Sequence, residues 1–257
     1  MVAKYARPDS ILITGGSSGL GAALAQIYAA PGVRLALTGR DADRLASVAK
    51  VCTARGAEVH LAAIDVLERA RLVDWIDSRA KAAPLDLLIA NAGISAGTGG
   101  DGEDAAQTRG ILAANVDGVV NTVMAALPAM RARQHGQIAI MSSLAAFRGF
   151  PGAPAYCASK AAVRVWGEAL RGQLASDGIA VTVICPGYIK TPMTAVNRFP
   201  MPLLMESYRA ARIIQRGLAR DKARIAFPWP MYALVRLIAA LPPGLVDPLL
   251  RKLPEKD

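Results

Sequence analysis

Between residues 10 and about 185, short apolar runs alternate with longer stretches of helical pattern, and this alternation limits the fold more than any other feature. The runs are 10–14, 34–38, 58–64, 85–90, 137–142 and 179–185. Each reads as continuously apolar rather than alternating, as a parallel strand does when helices cover both its faces. The stretches between them, 20–30, 42–55, 68–82, 105–133 and 155–176, read as helices. Right-handed crossovers place such helices on both sides of one sheet, so the expected class is α/β with a doubly wound parallel sheet. No linker divides the pattern, and one domain over residues 1–257 is expected.

Beyond Cys185 the pattern changes. Pro186, Pro192, Pro200 and Pro202 break the chain, and Met193, Phe199, Met201, Leu203 and Leu204 form an apolar lid region. A helix over 206–218 and a last strand over 224–227 follow, then an apolar and basic tail, so residues from about 190 to 257 read as a lid and extension. From Glu206 onward ten Lys/Arg face five Asp/Glu, which puts half of the formal net charge of +10 in one fifth of the chain.

Composition excludes several classes. With 53% hydrophobic and 19% charged residues the chain has enough apolar material for a core, which argues against disorder. The basic residues outside the tail are scattered and only 5% of residues are aromatic, so no nucleic-acid partner is expected. Cys52, Cys157 and Cys185 form no CxxC pair, and with only His60 and His135 no metal site of usual spacing can be assembled. The first residues lack the apolar segment of an export signal, so a cytoplasmic protein with reduced thiols is expected.

The first run leads into Thr14-Gly15-Gly16-Ser17-Ser18-Gly19-Leu20-Gly21 and then a helix. On a strand-to-helix turn, glycines let the backbone approach a pyrophosphate, and the free N–H groups of the helix stabilise its charge. This is the Rossmann-like arrangement for a dinucleotide. Its second strand ends at Gly39-Arg40, with no acid for a ribose hydroxyl and a guanidinium suited to a 2′-phosphate, which favours NADP over NAD. The alternative is that Arg40 is a solvated turn residue and Asp41, a helix cap, reaches the ribose.

Tyr156 and Lys160 stand four residues apart and so project from one helix face. A cation a few ångströms away lowers a phenol by about three pKa units before desolvation is counted. That would bring Tyr156 into the range of a general acid or base.

With these motifs in this order, the sequence resembles the short-chain dehydrogenase/reductase family up to about residue 195. The glycine motif is Thr14 to Gly21; Asn91-Ala92-Gly93 follows the fourth strand; Asn115 is the helix asparagine; Ser143 precedes Tyr156 by thirteen residues; and Pro186-Gly187, Ile189 and Thr191 follow the sixth strand. The resemblance implies carbonyl–alcohol interconversion by hydride transfer on a nicotinamide cofactor. It implies that Tyr156 exchanges a proton with the substrate oxygen and Ser143 orients that oxygen. Lys160 would hold the ribose and lower the pKa of Tyr156, and Asn115 would support a water beside Lys160. Asp65-Val66 would contact the adenine and Thr191 the carboxamide. Ser142 is the nearest rival of Ser143.

The resemblance also implies a homodimer through the helices over 105–133 and 155–176, with a tetramer as the further option. Many family members end in a glycine-rich interface tail, whereas this chain ends in the almost uncharged run 231–241 with Arg220, Lys222, Arg224, Arg251 and Lys252 around it. That run is expected to wall the cleft, meet a subunit or rest peripherally on a membrane surface. Together with the lid it suggests a small carbonyl or alcohol substrate of apolar, lipid-like character. A dinucleotide-sensing regulatory or scaffold protein on the same fold is the alternative reading.

Overall fold

The computed structural model describes residues 7–95, 102–197 and 199–250. Arg251 and Lys252 of the tail lie outside the described residues. Strands β1 (Ser10–Thr14), β2 (Arg34–Gly39), β3 (Glu58–Ala63), β4 (Leu87–Ala90), β5 (Gly136–Met141) and β6 (Ile179–Pro186) alternate with α1 (Gly19–Tyr28), α2 (Ala42–Ala54) and α3 (Arg69–Ala82) and with the longer helices described below. A pair of two-residue strands, β7 (Ile189–Lys190) and β8 (Met205–Glu206), frames α7 (Pro192–Ala195); α8 (Ser207–Ala219), β9 (Arg224–Phe227), α9 (Trp229–Ala240) and α10 (Pro243–Leu250) complete the chain.

The main sheet is parallel throughout, in the order β3-β2-β1-β4-β5-β6-β9. Its order reverses between β1 and β4, and the crevice outside the carboxyl ends of those strands is where a doubly wound sheet binds a ligand. One apolar layer, with Ile11, Ile13, Leu24, Leu35 and Ile214, joins the sheet to α1, α2 and α8; the opposite layer, with Leu12, Leu72, Leu88, Val123 and Val163, joins it to α3 and the long helices. At the amino end of the sheet Asp86 accepts the Asp9 and Ser10 N–H groups at 3.0 and 3.1 Å, fixing β4 beside β1.

Two expectations from sequence need correction. The third run is not covered on both faces: β3 is the edge strand, and Glu58, Leu61 and Ala63 are exposed because only β2 flanks it. The stretch over 105–133 is not one regular helix. It consists of α4 (Ala105–Leu112), a π-helical turn over Ala113–Asp117 and α5 (Gly118–Ala132). Gly118 lies so close to Val66 that a Cβ would meet Val66 Cγ2 at 2.5 Å, and the widened turn before it carries the fully buried Asn115 inward. By length and composition this helical stretch is apolar enough to cross a membrane, but half of it is buried as one layer of the sheet.

Candidate active site

The cleft starts at the turn between β1 and α1. Gly15 and Gly19 have φ of +67° and +53°, values that side chains other than glycine resist. A Cβ on Gly21 would come within 2.2 Å of the Gly15 carbonyl, so the start of α1 can reach the turn only without a side chain there. Asn91 fastens this arrangement from β4, its Nδ2 donating to the carbonyls of Thr14 and Gly15 at 3.0 and 3.2 Å. Thr14 Oγ1 in return accepts the N–H groups of Asn91 and Ala92. Ser18, the N-cap of α1, makes no side-chain capping bond. The first N–H groups of that helix are therefore open to an anion, and the turn fits the pyrophosphate of a dinucleotide.

The cavity of about 340 Å³ that opens from this turn is lined by residues of most motifs identified from sequence; Ser142 is among them, whereas Ser143 and Asn115 are not. Ser17, Gly19, Leu20, Arg40, Asp65 and Val66 lie along one half, and Ala92, Gly93, Tyr156, Lys160, Gly187, Ile189 and Thr191 along the other. Arg40 is exposed at the end of β2. Asp41, the alternative ribose contact, caps α2 through the Arg44 N–H at 2.9 Å and holds Arg44 Nε at 2.6 Å. Its carboxylate is thereby held below the usual range. Arg44 lines the cleft beside Arg40, a second guanidinium that sequence reasoning missed because no motif position marks it.

At the other end α6 (Pro154–Gln173) presents Tyr156 and Lys160 on one face. Ser143 Oγ accepts the Ala145 N–H at 3.1 Å and donates to the Pro186 carbonyl at 3.5 Å, and its hydroxyl lies near enough to the Tyr156 phenol to pull that group's pKa down. Ser142 lines the cavity, but its hydroxyl is donated to the Lys160 carbonyl at 2.8 Å. Lys160 is buried, with Nζ donating to the Met141 carbonyl at 3.0 Å and lying 5.8 Å from the Tyr156 ring centre. Burial brings the ammonium down to about 8.

The expectation that Lys160 lowers the Tyr156 pKa is not met in the chain by itself. Burial pushes the phenol up, against the opposing pull of the Ser143 hydrogen bond. Lys160 Nζ is directed at the Met141 carbonyl and makes no hydrogen bond to the phenol oxygen that would oppose this rise.

Asn115 braces this end. Its Oδ1 accepts the Ile94 N–H at 2.7 Å, and its Nδ2 donates to the Ile94 carbonyl at 2.9 Å and to Ser159 Oγ at 3.0 Å. Ser159 in turn donates to the Tyr156 carbonyl. Both amide hydrogens are spent, so only the second lone pair of Oδ1 is left for a water. A Cβ on Gly93 would come within 2.8 Å of Oδ1 and 3.2 Å of Lys160 Nζ, so the bare glycine leaves space between those two atoms. Glu103 accepts the Ala155 N–H at 2.8 Å and supplies the negative end that the first turn of α6 otherwise lacks. Neither Ser159 nor Glu103 was found from sequence. Ser159 precedes the lysine inside the Tyr156–Lys160 motif, while Glu103 comes from a distant segment and carries no signal.

Comparison with known proteins agrees with this geometry. Residues 9–200 match the family model described as short chain dehydrogenase. The chain belongs to the short-chain dehydrogenase/reductase family. It is 40% identical over 248 residues to an uncharacterized oxidoreductase of Myxococcus xanthus, covering 94% of this chain and 96% of that protein. Over 194 residues it is 38% identical to 11-beta-hydroxysteroid dehydrogenase 1A of Arabidopsis thaliana, covering 74% of this chain and 54% of that one. Among solved structures, the short chain dehydrogenase from Mycobacterium paratuberculosis bound to NAD superposes with a TM-score of 0.79 at 25% identity, covering 90% of this chain and 99% of that one. The protein is an oxidoreductase of this family with a doubly wound nucleotide-binding fold.

Proposed function

We propose that this short-chain dehydrogenase/reductase is an NADP-preferring enzyme that interconverts a ketone and a secondary alcohol on an apolar, lipid-like substrate. The observation that carries the reading is the placement of Tyr156 and buried Lys160 in the same cleft as the uncapped start of α1, with the Ser143 hydroxyl near the phenol. When bound, the nicotinamide supplies or accepts the hydride. Tyr156, kept protonated by burial, donates its proton to the carbonyl oxygen in reduction and recovers it from the alcohol in oxidation. Ser143, fixed by the Ala145 N–H, gives that oxygen a second hydrogen bond as charge develops on it. Lys160 is cationic below about pH 8 and stabilises the phenolate that Tyr156 becomes.

NADP preference rests on Arg40 and Arg44 at the end of β2, on Gly39, which offers no carboxylate, and on the engagement of Asp41 with Arg44. The apolar substrate class rests on the lid, where Tyr188 and Phe199 meet edge-on at 6.1 Å, and on buried Leu144 next to Ser143. The hydroxysteroid named for the Arabidopsis relative belongs to the same class. Screening ketones of graded chain length by NADPH absorbance tests the reading. Turnover that rises with chain length supports it, and turnover confined to small polar carbonyls contradicts the substrate class.

A further inference from the structure

We propose that Asn121 of α5 is a positioning residue for the purine of the cofactor. By holding one peptide of the loop after β3, it makes the Val66 N–H and the Asp65 carboxylate present a donor and an acceptor side by side to an adenine ring. The proposal rests on the dinucleotide reading above. With a pyrophosphate at the start of α1 and a nicotinamide at Tyr156, the adenosine is left the other half of the cleft, where Arg40, Asp65 and Val66 line the cavity.

That loop is closed on itself except at two atoms. The N–H groups of Ile64, Asp65, Leu67 and Glu68 go to the Gly39 carbonyl, Glu68 Oε1, Asp65 Oδ1 and the Asp65 carbonyl, at distances between 2.9 and 3.1 Å. The Val66 N–H among them has no partner among the described residues, although Val66 is buried. A buried N–H without a partner is rare in a folded chain, and a ligand acceptor would satisfy it. Asp65 takes the Leu67 N–H on Oδ1, and its Oδ2 also has no partner among the described residues. Adenine carries the complementary pair on one edge, the N1 acceptor beside the 6-amino donor.

What fixes the loop in this pose comes from α5. Asn121 Nδ2 donates to the Val66 carbonyl at 3.0 Å. The peptide between Val66 and Leu67 is thus held at both ends, its carbonyl by Asn121 and its N–H by Asp65 Oδ1. One turn earlier on the same face of α5, the bare Gly118 lets the Val66 side chain lie against the helix. With its carbonyl and side chain both taken up by α5, Val66 offers its N–H to the cavity that it lines. A carbonyl oxygen accepts and cannot donate, so the hold depends on the N–H of the Asn121 amide and not on the size of the side chain. Without that N–H the peptide is free to rotate, and the Val66 donor loses its register with the Asp65 oxygen.

The test is calorimetry on the full chain with NADPH and with its hypoxanthine analogue deamino-NADPH, in which N1 becomes a donor and an acceptor oxygen replaces the 6-amino group. The parent is expected to bind NADPH about tenfold more tightly than the analogue, which sets donor against donor at Val66. Asn121→Ala should weaken NADPH about fivefold and bring the two dissociation constants within about twofold of each other. Asn121→Asp keeps the shape but sets a carboxylate against the carbonyl, so it should do at least as much. Asn121 is half-buried and neither variant adds volume, so the fold is kept, which a cooperative melting curve without cofactor checks. An equal loss for the two cofactors, as a merely structural role would give, a parent that does not discriminate, or an aspartate variant that behaves as the parent would overturn the proposal. A parent that binds neither NADPH nor NADH would refute the dinucleotide reading itself, and the proposal with it.

Discussion

Lys160 carries opposed demands at one atom. Its burial, which brings the ammonium down to about 8, makes its charge dependent on pH in the working range. The cation is present below about pH 8 and lost above it, so kcat/KM for NADPH in reduction should fall above that pH. Stability follows the opposite sign. Between about pH 8 and 10.5 the unfolded lysine binds a proton that the folded one has lost, so burial costs stability at neutral pH and the cost fades as pH rises. Lys160→Met should therefore melt at a higher temperature than the parent at pH 7, with the gap closing toward pH 10.5, and should lose activity. At the far end of the cleft, Arg40→Ser should weaken NADPH by tenfold or more and leave NADH nearly unchanged, as calorimetry would show. Gly39→Asp is a less clean probe, because its Cβ would crowd Ser17 Oγ at 3.1 Å.

At the level of elements, α6 depends on a partner from outside itself. Its N-cap Ala153 bonds nothing through a side chain, and Glu103 takes the Ala155 N–H instead. Glu103→Ala should cost about 1 kcal/mol in urea unfolding and lower kcat, because the turn it caps carries Tyr156. A variant with full stability and activity would show the carboxylate to be idle. The elements differ in how visible they are from sequence. β1, β4, β5 and β6 are readable because helices bury both their faces, which imposes an uninterrupted apolar run. The edge position of β3 depends on which strands pair, and no local pattern encodes that. The π turn at Asn115 was invisible, since one wider turn leaves the helical hydrophobic pattern on either side intact. The same division runs through the cleft. The helical spacing of Tyr156 and Lys160 and the glycine turn are local signals, whereas Arg44, Glu103 and the choice between Ser142 and Ser143 depend on contacts between distant segments.

For the whole molecule, α5 and α6 each leave a large apolar side chain in water, Met124 at 52% and Val165 at 55% exposed. We propose that these helices face a second copy, and that Met124→Lys with Val165→Glu would turn a dimer into a monomer in light scattering. A parent chain that is monomeric at every concentration would refute this. Function joins the two ends of the cleft: an anion-binding turn at the start of α1 and a proton-donating pair on α6 and the loop after β5. The most direct measurement compares NADPH oxidation with a long-chain ketone by the parent chain and by Tyr156→Phe, with NADPH affinity measured in both. The account predicts a loss of activity of at least a thousandfold with affinity kept within a few-fold, since the phenylalanine removes only the proton donor. Comparable turnover by the two proteins would contradict it.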